Sequence, residues 1–432
     1  MTSQRYFTTD ESLAVDPISG QKPTKLRYYA GGQWKDSKTT KFMPCHNPST
    51  GADTPVVSRV QVLFRMKTLL DQHLDELTEI CARENGKKWD ESKGDILKVI
   101  EVVEFACGAP HIMKGESLMG VSKGFDTVRF NEPMGVFAGI APWNFPGMIP
   151  QGWMAPICIA TGNCMVLKLA SFVPQTSMRI MELWEEAGLP AGVLNIVTCS
   201  RHESEIFLKH PDIKGVSFVG STDVGLHIYS TAAAHGKRVQ ALCEAKNHAL
   251  VLKDAVIERV AQSIINSSFG CAGERCMALP VIVVENEVAD ELIAKVLELA
   301  KGLKLGKAWE KDTDLGPVVN AGHKAFVTSW IEKGIAEGAR LLLDGRNPQV
   351  APGCENGFFL GPTIFDNVTA DMTVGQKEIF GPVVCFKRVK DFEEGLTFMN
   401  NNEFANGSVI FTESGHYARE FASRTDGGMV GV

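Results

Sequence analysis

Two doubly wound α/β domains with mostly parallel sheets are what this sequence predicts. Short β-branched runs alternate with amphipathic helical stretches from Val128 onward, the pattern of βαβ units. Glycine and proline punctuate the ends of those stretches. The 432 residues, 44% hydrophobic and 22% charged, are ordinary globular material and enough for two or three domains.

Residues 135–141 read as a buried strand, followed by a Pro/Trp/Asn/Phe/Pro turn and a helix over 154–161. Residues 164–169 form the next strand, and the helix over 176–187 stops at Gly188 and Pro190. Strands at 193–197, 215–219 and 238–242 complete the first set. The second set has a helix over 257–269, a strand at 281–285, a helix over 290–301 and a strand near 383–386. Thr127-Val-Arg-Phe130, after Gly120 to Gly124, suggests a separate hairpin. Residues 1–25 mix Arg5 with Asp10, Glu11 and Asp16 and read as a loose tail, not a transit peptide. Ligand sites sit at domain interfaces and at strand carboxyl ends, so the loop carrying Cys276 is expected at the junction of the two domains.

A net charge of −7 argues against a nucleic-acid or anionic-membrane partner and leaves small molecules. Eleven cysteines without paired spacing fit a reducing compartment rather than a disulfide framework. Cys271 and Cys276 have no second Cys/His pair nearby, so no metal site is expected. No apolar run reaches the ~18 residues of a membrane helix, and no signal-peptide core opens the chain.

Phe269-Gly-Cys-Ala-Gly-Glu-Arg-Cys276-Met-Ala sets a cysteine beside an arginine among small residues. The thiolate is the nucleophile; a neighbouring cation lowers a free thiol pKa of roughly 8.5 toward neutrality, and small neighbours admit a carbonyl. Alone, the stretch fits a buried cysteine acting as a small hydrophobe just as well. Phe218-Val-Gly-Ser-Thr-Asp-Val-Gly225 places glycines after a strand and at the opening of a helix, where free N–H groups suit a phosphate. It lacks the G-x-G-x-x-G spacing, and a plain glycine turn also fits. Pro142-Trp-Asn144-Phe-Pro146 holds an amide between two prolines, either a rigid donor for developing negative charge or a helix cap. Gln376-Lys-Glu378-Ile-Phe-Gly-Pro382 offers one carboxylate, by default solvated, and Lys168 is a charge at a strand end.

In this order the sites resemble the aldehyde dehydrogenase superfamily, and within it the CoA-acylating methylmalonate/malonate-semialdehyde dehydrogenases. The segments that carry the resemblance are Gly139-Ile-Ala-Pro-Trp-Asn-Phe-Pro146, His235-Gly-Lys-Arg-Val-Gln-Ala241, Ala245-Lys-Asn-His248, Ala272-Gly-Glu-Arg-Cys-Met-Ala278 and Glu378-Ile-Phe-Gly-Pro-Val383. It runs from about Leu26 to the C-terminus. The resemblance implies an aldehyde dehydrogenase-like fold, with an NAD-binding domain at 26–118 and 132–246, an oligomerisation hairpin at 119–131 and a catalytic domain at 247–432. It implies Cys276 as nucleophile and Asn144, with the Cys276 N–H, as oxyanion donors. NAD would be held by Lys168, Gly220, Ser221, Glu378 and Phe380. Hydrolytic members carry a glutamate base at the position of Leu242, and leucine cannot activate water. Coenzyme A would therefore take the acyl group as co-substrate, with the substrate carboxylate lost as CO2. Arg275 and Lys98 are the candidate cations for that carboxylate, Lys98 without an arginine's bidentate fork.

Against the family pattern, five departures stand out. Asn47-Pro-Ser-Thr-Gly-Ala52 runs almost directly into Ser58, where relatives have a further helix. The chain stops at Val432, short of a segment that completes the catalytic domain and supplies a strand to the hairpin, leaving that hairpin an open edge. Lys-Pro-Ser-Glu reads Lys168-Leu-Ala-Ser171, so a ribose-binding carboxylate is a serine and NAD affinity should fall. Glu244 replaces a glycine and, by strand parity with Leu242, would face the same side. Pro150-Gln-Gly-Trp-Met-Ala-Pro156 carries one extra residue, expected to rotate the following helical face by about 100°. The expected function is NAD-dependent, CoA-acylating semialdehyde oxidation by a homo-oligomer in the mitochondrial matrix or bacterial cytoplasm. The alternatives are a non-catalytic subunit of the same fold, and a hydrolytic aldehyde dehydrogenase using Glu244.

Overall fold

The computed structural model describes the strands Phe7–Thr9, Thr24–Ala30 and Gln33–Asp36, and residues 55–404 and 406–432. The rest of the expected tail and the Asn47 to Ala52 junction lie outside the described residues. Two compact units form, Met1–Glu84 with Lys93–Cys243, and Asn85–Ser92 with Glu244–Val432.

The first unit is built on a sheet whose inner strands are all parallel. From Val136–Ile140, the strands Cys164–Leu169 and Leu194–Thr198 extend to one side, and Ile213–Val219 and Arg238–Leu242 to the other. Strand order reverses between Val136–Ile140 and Ile213–Val219, so a crevice belongs at the carboxyl ends of that pair. Alternation divides the core between the two faces. Val136, Ala138 and Ile140 pack with Phe207, Phe218 and Ile228, while Met165, Leu167 and Leu169 join Leu63, Ile149 and Trp184. Thr24–Ala30 continues the sheet antiparallel beside Leu194–Thr198, and Phe7–Thr9 lies antiparallel beyond it.

The helix expected over 154–161 starts earlier and is wider. Met148–Met154 is a π-helix that passes directly into the α-helix Ala155–Ala160. The segment between Pro150 and Pro156 is thus wound in turns of i→i+5 spacing, and a wide turn of that kind accommodates one residue more locally than an α-helical turn. Gln151 fixes the wide segment from inside, accepting from the Trp184 indole (3.1 Å) and donating to the Ser177 carbonyl (3.2 Å).

In the second unit, His248–Val251 pairs in parallel with Val281–Glu285 and Gly407–Phe411; Val383–Val389, Thr363–Asp366 and Met429–Gly431 extend the sheet. The antiparallel strand Arg340–Leu343 ends it. The helix expected over 257–269 is also interrupted. An α-helix Ile257–Ile264 becomes a π-helix Ile265–Phe269 and then a tight turn Gly270–Gly273.

The expected hairpin is present as Ser117–Ser122 and Phe125–Val128, turning at Gly124 with φ +82°. Every residue of both strands is exposed, including Leu118, Met119 and Phe125. Among the described residues, no helix is long and apolar enough to cross a membrane.

Candidate active site

The strand reversal in the first unit opens a cleft of about 340 Å³ lined by Ile140 to Trp143, Lys168, Arg201 and Phe218 to Ser221. Lys168, Gly220 and Ser221 are thereby brought together. Gly220 has no room for a side chain, because a Cβ there would meet the Phe218 ring at 2.6 Å. Ser221 is the N-cap residue of the helix Thr222–Ala234, yet its side chain makes no capping bond. The helix start thus carries no side-chain cap from Ser221. Asn144 is buried in the turn leading to the π-helix and is not that helix's cap. The N–H of Met148 donates instead to Asp95 (2.5 Å).

Cys276, Arg275, Glu378 and Phe380 line a narrow cavity of about 10 Å³ in the second unit, room for one water-sized group. The loop that presents Cys276 is forced into shape. Cys271 (φ 51°) and Ala272 (φ 52°) are left-handed without being glycine, and Gly273 (φ 73°) follows. That conformation is unfavourable for L-residues and persists only where surroundings impose it. Here the Cys271 N–H donates to Glu91 (2.8 Å), and the buried Glu274 accepts from the Val319 N–H (3.0 Å). A Cβ on Gly273 would lie 2.0 Å from the Gly381 carbonyl oxygen, so the cysteine loop and the Glu378 loop touch backbone to backbone.

Both loops hang from the segment at the start of His248–Val251. Lys246, fully buried, donates to the carbonyls of Val374 (2.9 Å) and Lys377 (2.7 Å) just ahead of Glu378. Asn247 donates to the carbonyls of Cys276 (2.8 Å) and Ala278 (2.7 Å) and accepts from the Gly407 N–H (2.7 Å). The Ala245 N–H donates to Glu378 (3.2 Å). Residue-type reasoning gave these side chains no role. Their available signal was a lysine and an asparagine directly before a short strand that ends in Ala249-Leu-Val251, where solvated groups have no place.

Five expectations change. The Cys276 thiol is not lowered: burial, then the Glu378 carboxylate, push it above its ordinary value, outweighing the N–H groups of Cys276 and Met277 and the charge of Arg275. Arg275 points its Nη2 at the carbonyls of Asn266 (2.9 Å) and Ser267 (3.0 Å), finishing the π-helix, while its Nε is buried without a partner among the described residues. Lys98 is exposed and paired with Glu101 (2.5 Å). Glu244 does not share strand parity with Leu242, because the strand Arg238–Leu242 has ended; its charge instead helps raise Glu378. Burial is the larger cause there, and it pushes the Glu378 carboxyl up to about 7. In the second unit the site also lies at the strands' amino ends, since Cys276 precedes Val281–Glu285 and Glu378 precedes Val383–Val389. The carboxyl-end rule describes the first unit alone.

The model of the aldehyde dehydrogenase family matches residues 47–432. The chain belongs to that family. Malonate-semialdehyde dehydrogenase 2 of Geobacillus kaustophilus is 43% identical over 435 residues, covering 94% of this chain and 89% of that protein. The solved methylmalonate-semialdehyde dehydrogenase of Oceanimonas doudoroffii is 38% identical, with a TM-score of 0.89 over 100% of this chain and 87% of that one. A Sinorhizobium meliloti 1021 structure of the same type, complexed with NAD, is 39% identical with a TM-score of 0.89, covering 94% and 88%. As an aldehyde dehydrogenase family member the chain is an oxidoreductase of the two-sheet α/β fold.

Proposed function

We propose that this aldehyde dehydrogenase oxidises malonate or methylmalonate semialdehyde with NAD and passes the acyl group to coenzyme A. One observation carries the chemistry: the Cys276 sulfur lines a narrow cavity on a loop held in a strained conformation by buried polar groups. The names of the relatives at 43% and 38% identity support the substrate class.

The residues of the first-unit cleft suit a dinucleotide. The uncapped helix start and the close Gly220 turn fit a pyrophosphate, with Lys168 for the adenine ribose. Glu378 and Phe380 are assigned to the nicotinamide end. Once bound, the dinucleotide supplies the hydride acceptor.

Cys276 loses its proton as its sulfur attacks the aldehyde carbon. The N–H groups of Cys276 and Met277 favour the anionic sulfur. The developing oxyanion is assigned to the Cys276 N–H and the Asn144 amide, donors worth roughly 3 kcal/mol each in comparable sites. Hydride departure leaves a thioester on Cys276. Leu242 supplies no base for water, so the thiol of coenzyme A attacks the thioester carbon, and its proton is given up as the Cys276 sulfur leaves. The substrate carboxylate departs as CO2 with a proton in its place. The exposed hairpin supports self-association, and the ten free described cysteines support a reducing compartment.

Purified protein with malonate semialdehyde and NAD, with and without coenzyme A, tests this by NADH formation and by analysis of the acyl product. Turnover that requires coenzyme A and yields acetyl-CoA is expected. Equal turnover without it would replace thiolysis by hydrolysis. A folded protein with no turnover under either condition would make the chain a non-catalytic member of its family.

A further inference from the structure

We propose that Asp95 and Ser177 are positioning residues for the oxidation: they grip the backbone at the Met148 N–H and the Pro146 carbonyl and so fix where Asn144 presents its amide. The proposal rests on the reading of Asn144 as an oxyanion donor.

The turn that carries Asn144 has little backbone of its own to hold it. Pro142 and Pro146 lack the N–H that would tie the chain to its neighbours, so the seat of the turn depends on side chains supplied from elsewhere. Two arrive. From the helix Trp89–Cys107, Asp95 accepts from the Met148 N–H (2.5 Å). From the helix Gln175–Glu186, the Ser177 hydroxyl donates to the Pro146 carbonyl (2.5 Å). Both residues are 1% exposed, so water offers no ready substitute for either bond.

Each holder is itself held. Glu84 accepts from the N–H groups of Gln175 and Thr176 (2.7 Å each), fixing the start of the helix that bears Ser177. The Cys81 thiol donates to the second Asp95 oxygen (3.6 Å). Between the two grips stands Gly147, where a Cβ would come 3.0 Å from the Asp95 Oδ1 and 3.1 Å from Ile96. The turn is thus packed against the acid as well as bonded to it. An oxyanion donor works only within about 2.7–3.1 Å of the developing charge, and a misplacement of about 1 Å costs on the order of a hundredfold. Asn144 lies in the same turn, shortly before both grips. Releasing either one is therefore read out at the amide.

The burst of NADH formed from malonate semialdehyde and NAD without coenzyme A tests this, in a double-mutant cycle of Asp95→Ala and Asn144→Ala. Asp95→Ala is expected to slow the burst by about tenfold or more, with the half-saturating aldehyde concentration changed by less than about threefold. In the Asn144→Ala background the same change should add less than about twofold, because the amide it positions is gone. Asp95→Asn keeps an acceptor oxygen and should return the rate to within about threefold of wild type. Ser177→Ala should show the same pattern with a smaller loss, and it decides by the same cycle if circular dichroism shows Asp95→Ala unfolded. Equal losses in both backgrounds would make these side chains merely structural and overturn the proposal, as would a wild-type burst in Asp95→Ala. A wild-type burst in Asn144→Ala removes the oxyanion reading, and no burst from the unaltered chain removes the enzyme reading; the proposal falls with either.

Discussion

Replacing Asn247 by alanine should damage the second unit and its cysteine loop together. Asn247 is 2% exposed and makes three short hydrogen bonds, to the carbonyls of Cys276 and Ala278 and from the Gly407 N–H. Truncation removes all three and strands two carbonyls and one N–H in a dry setting. At about 1–1.5 kcal/mol for each bond lost with its partner left unsatisfied, the change should cost about 3–4.5 kcal/mol. For a unit of this size that is a fall of roughly 6–18 °C in the midpoint of its thermal transition. Scanning calorimetry reads the fall. The rate at which iodoacetamide alkylates Cys276 reads the loop, and loosening it should raise that rate about threefold or more as burial of the sulfur is relieved. Asn247→Asp, nearly isosteric, should be worse than alanine, because an acceptor would then face the two carbonyls. A midpoint lowered by less than about 2 °C with an unchanged alkylation rate would refute the role given to this side chain.

Cys276→Ala should abolish NADH formation while preserving the rise in melting temperature that NAD produces; activity surviving that change would remove the sulfur from the mechanism. Gly273→Ala should lower the second unit's transition and cut turnover sharply, since its methyl group would need the space of the Gly381 carbonyl 2.0 Å away at a positive φ; a variant with wild-type melting and rate would contradict the close approach. Glu378 is pushed up to about 7 by burial, so the folded state holds a proton that the unfolded chain releases near 4.5. Stability from this group is thus lost as pH rises from about 4.5 to 7, by up to about 3 kcal/mol, and Glu378→Gln should flatten the melting curve across that window. An identical pH slope in the variant would count against a protonated Glu378.

What could be read ahead of the structure was whatever leaves a periodic trace. The strands Cys164–Leu169, Arg238–Leu242 and Val281–Glu285 matched their expected bounds, because β-branched runs bounded by turns mark a strand directly. The π-helices Met148–Met154 and Ile265–Phe269 were invisible, since their apolar spacing resembles that of an α-helix and only the backbone pairing differs. Cys276 and Glu378, singled out from separate motifs, line one cavity, yet the state of the thiol was misjudged. Adjacency of Arg275 in sequence says nothing of where its guanidinium points, and burial is a property of the whole unit. Lys246 and Asn247 escaped notice for a related reason: polar side chains whose partners are main-chain carbonyls more than a hundred residues away, or on a facing loop, carry no local pattern.

The wide turns between Met148 and Met154 have a consequence for how this lineage can change. A segment wound at five-residue spacing is slack in the chain: deleting one residue there restores ordinary winding, and the helix Ala155–Ala160 with the strand Cys164–Leu169 after it need not shift. Length drift, usually confined to surface loops, has in this protein an outlet beneath the sheet, and descendants that differ by one residue at that point can keep the same cleft.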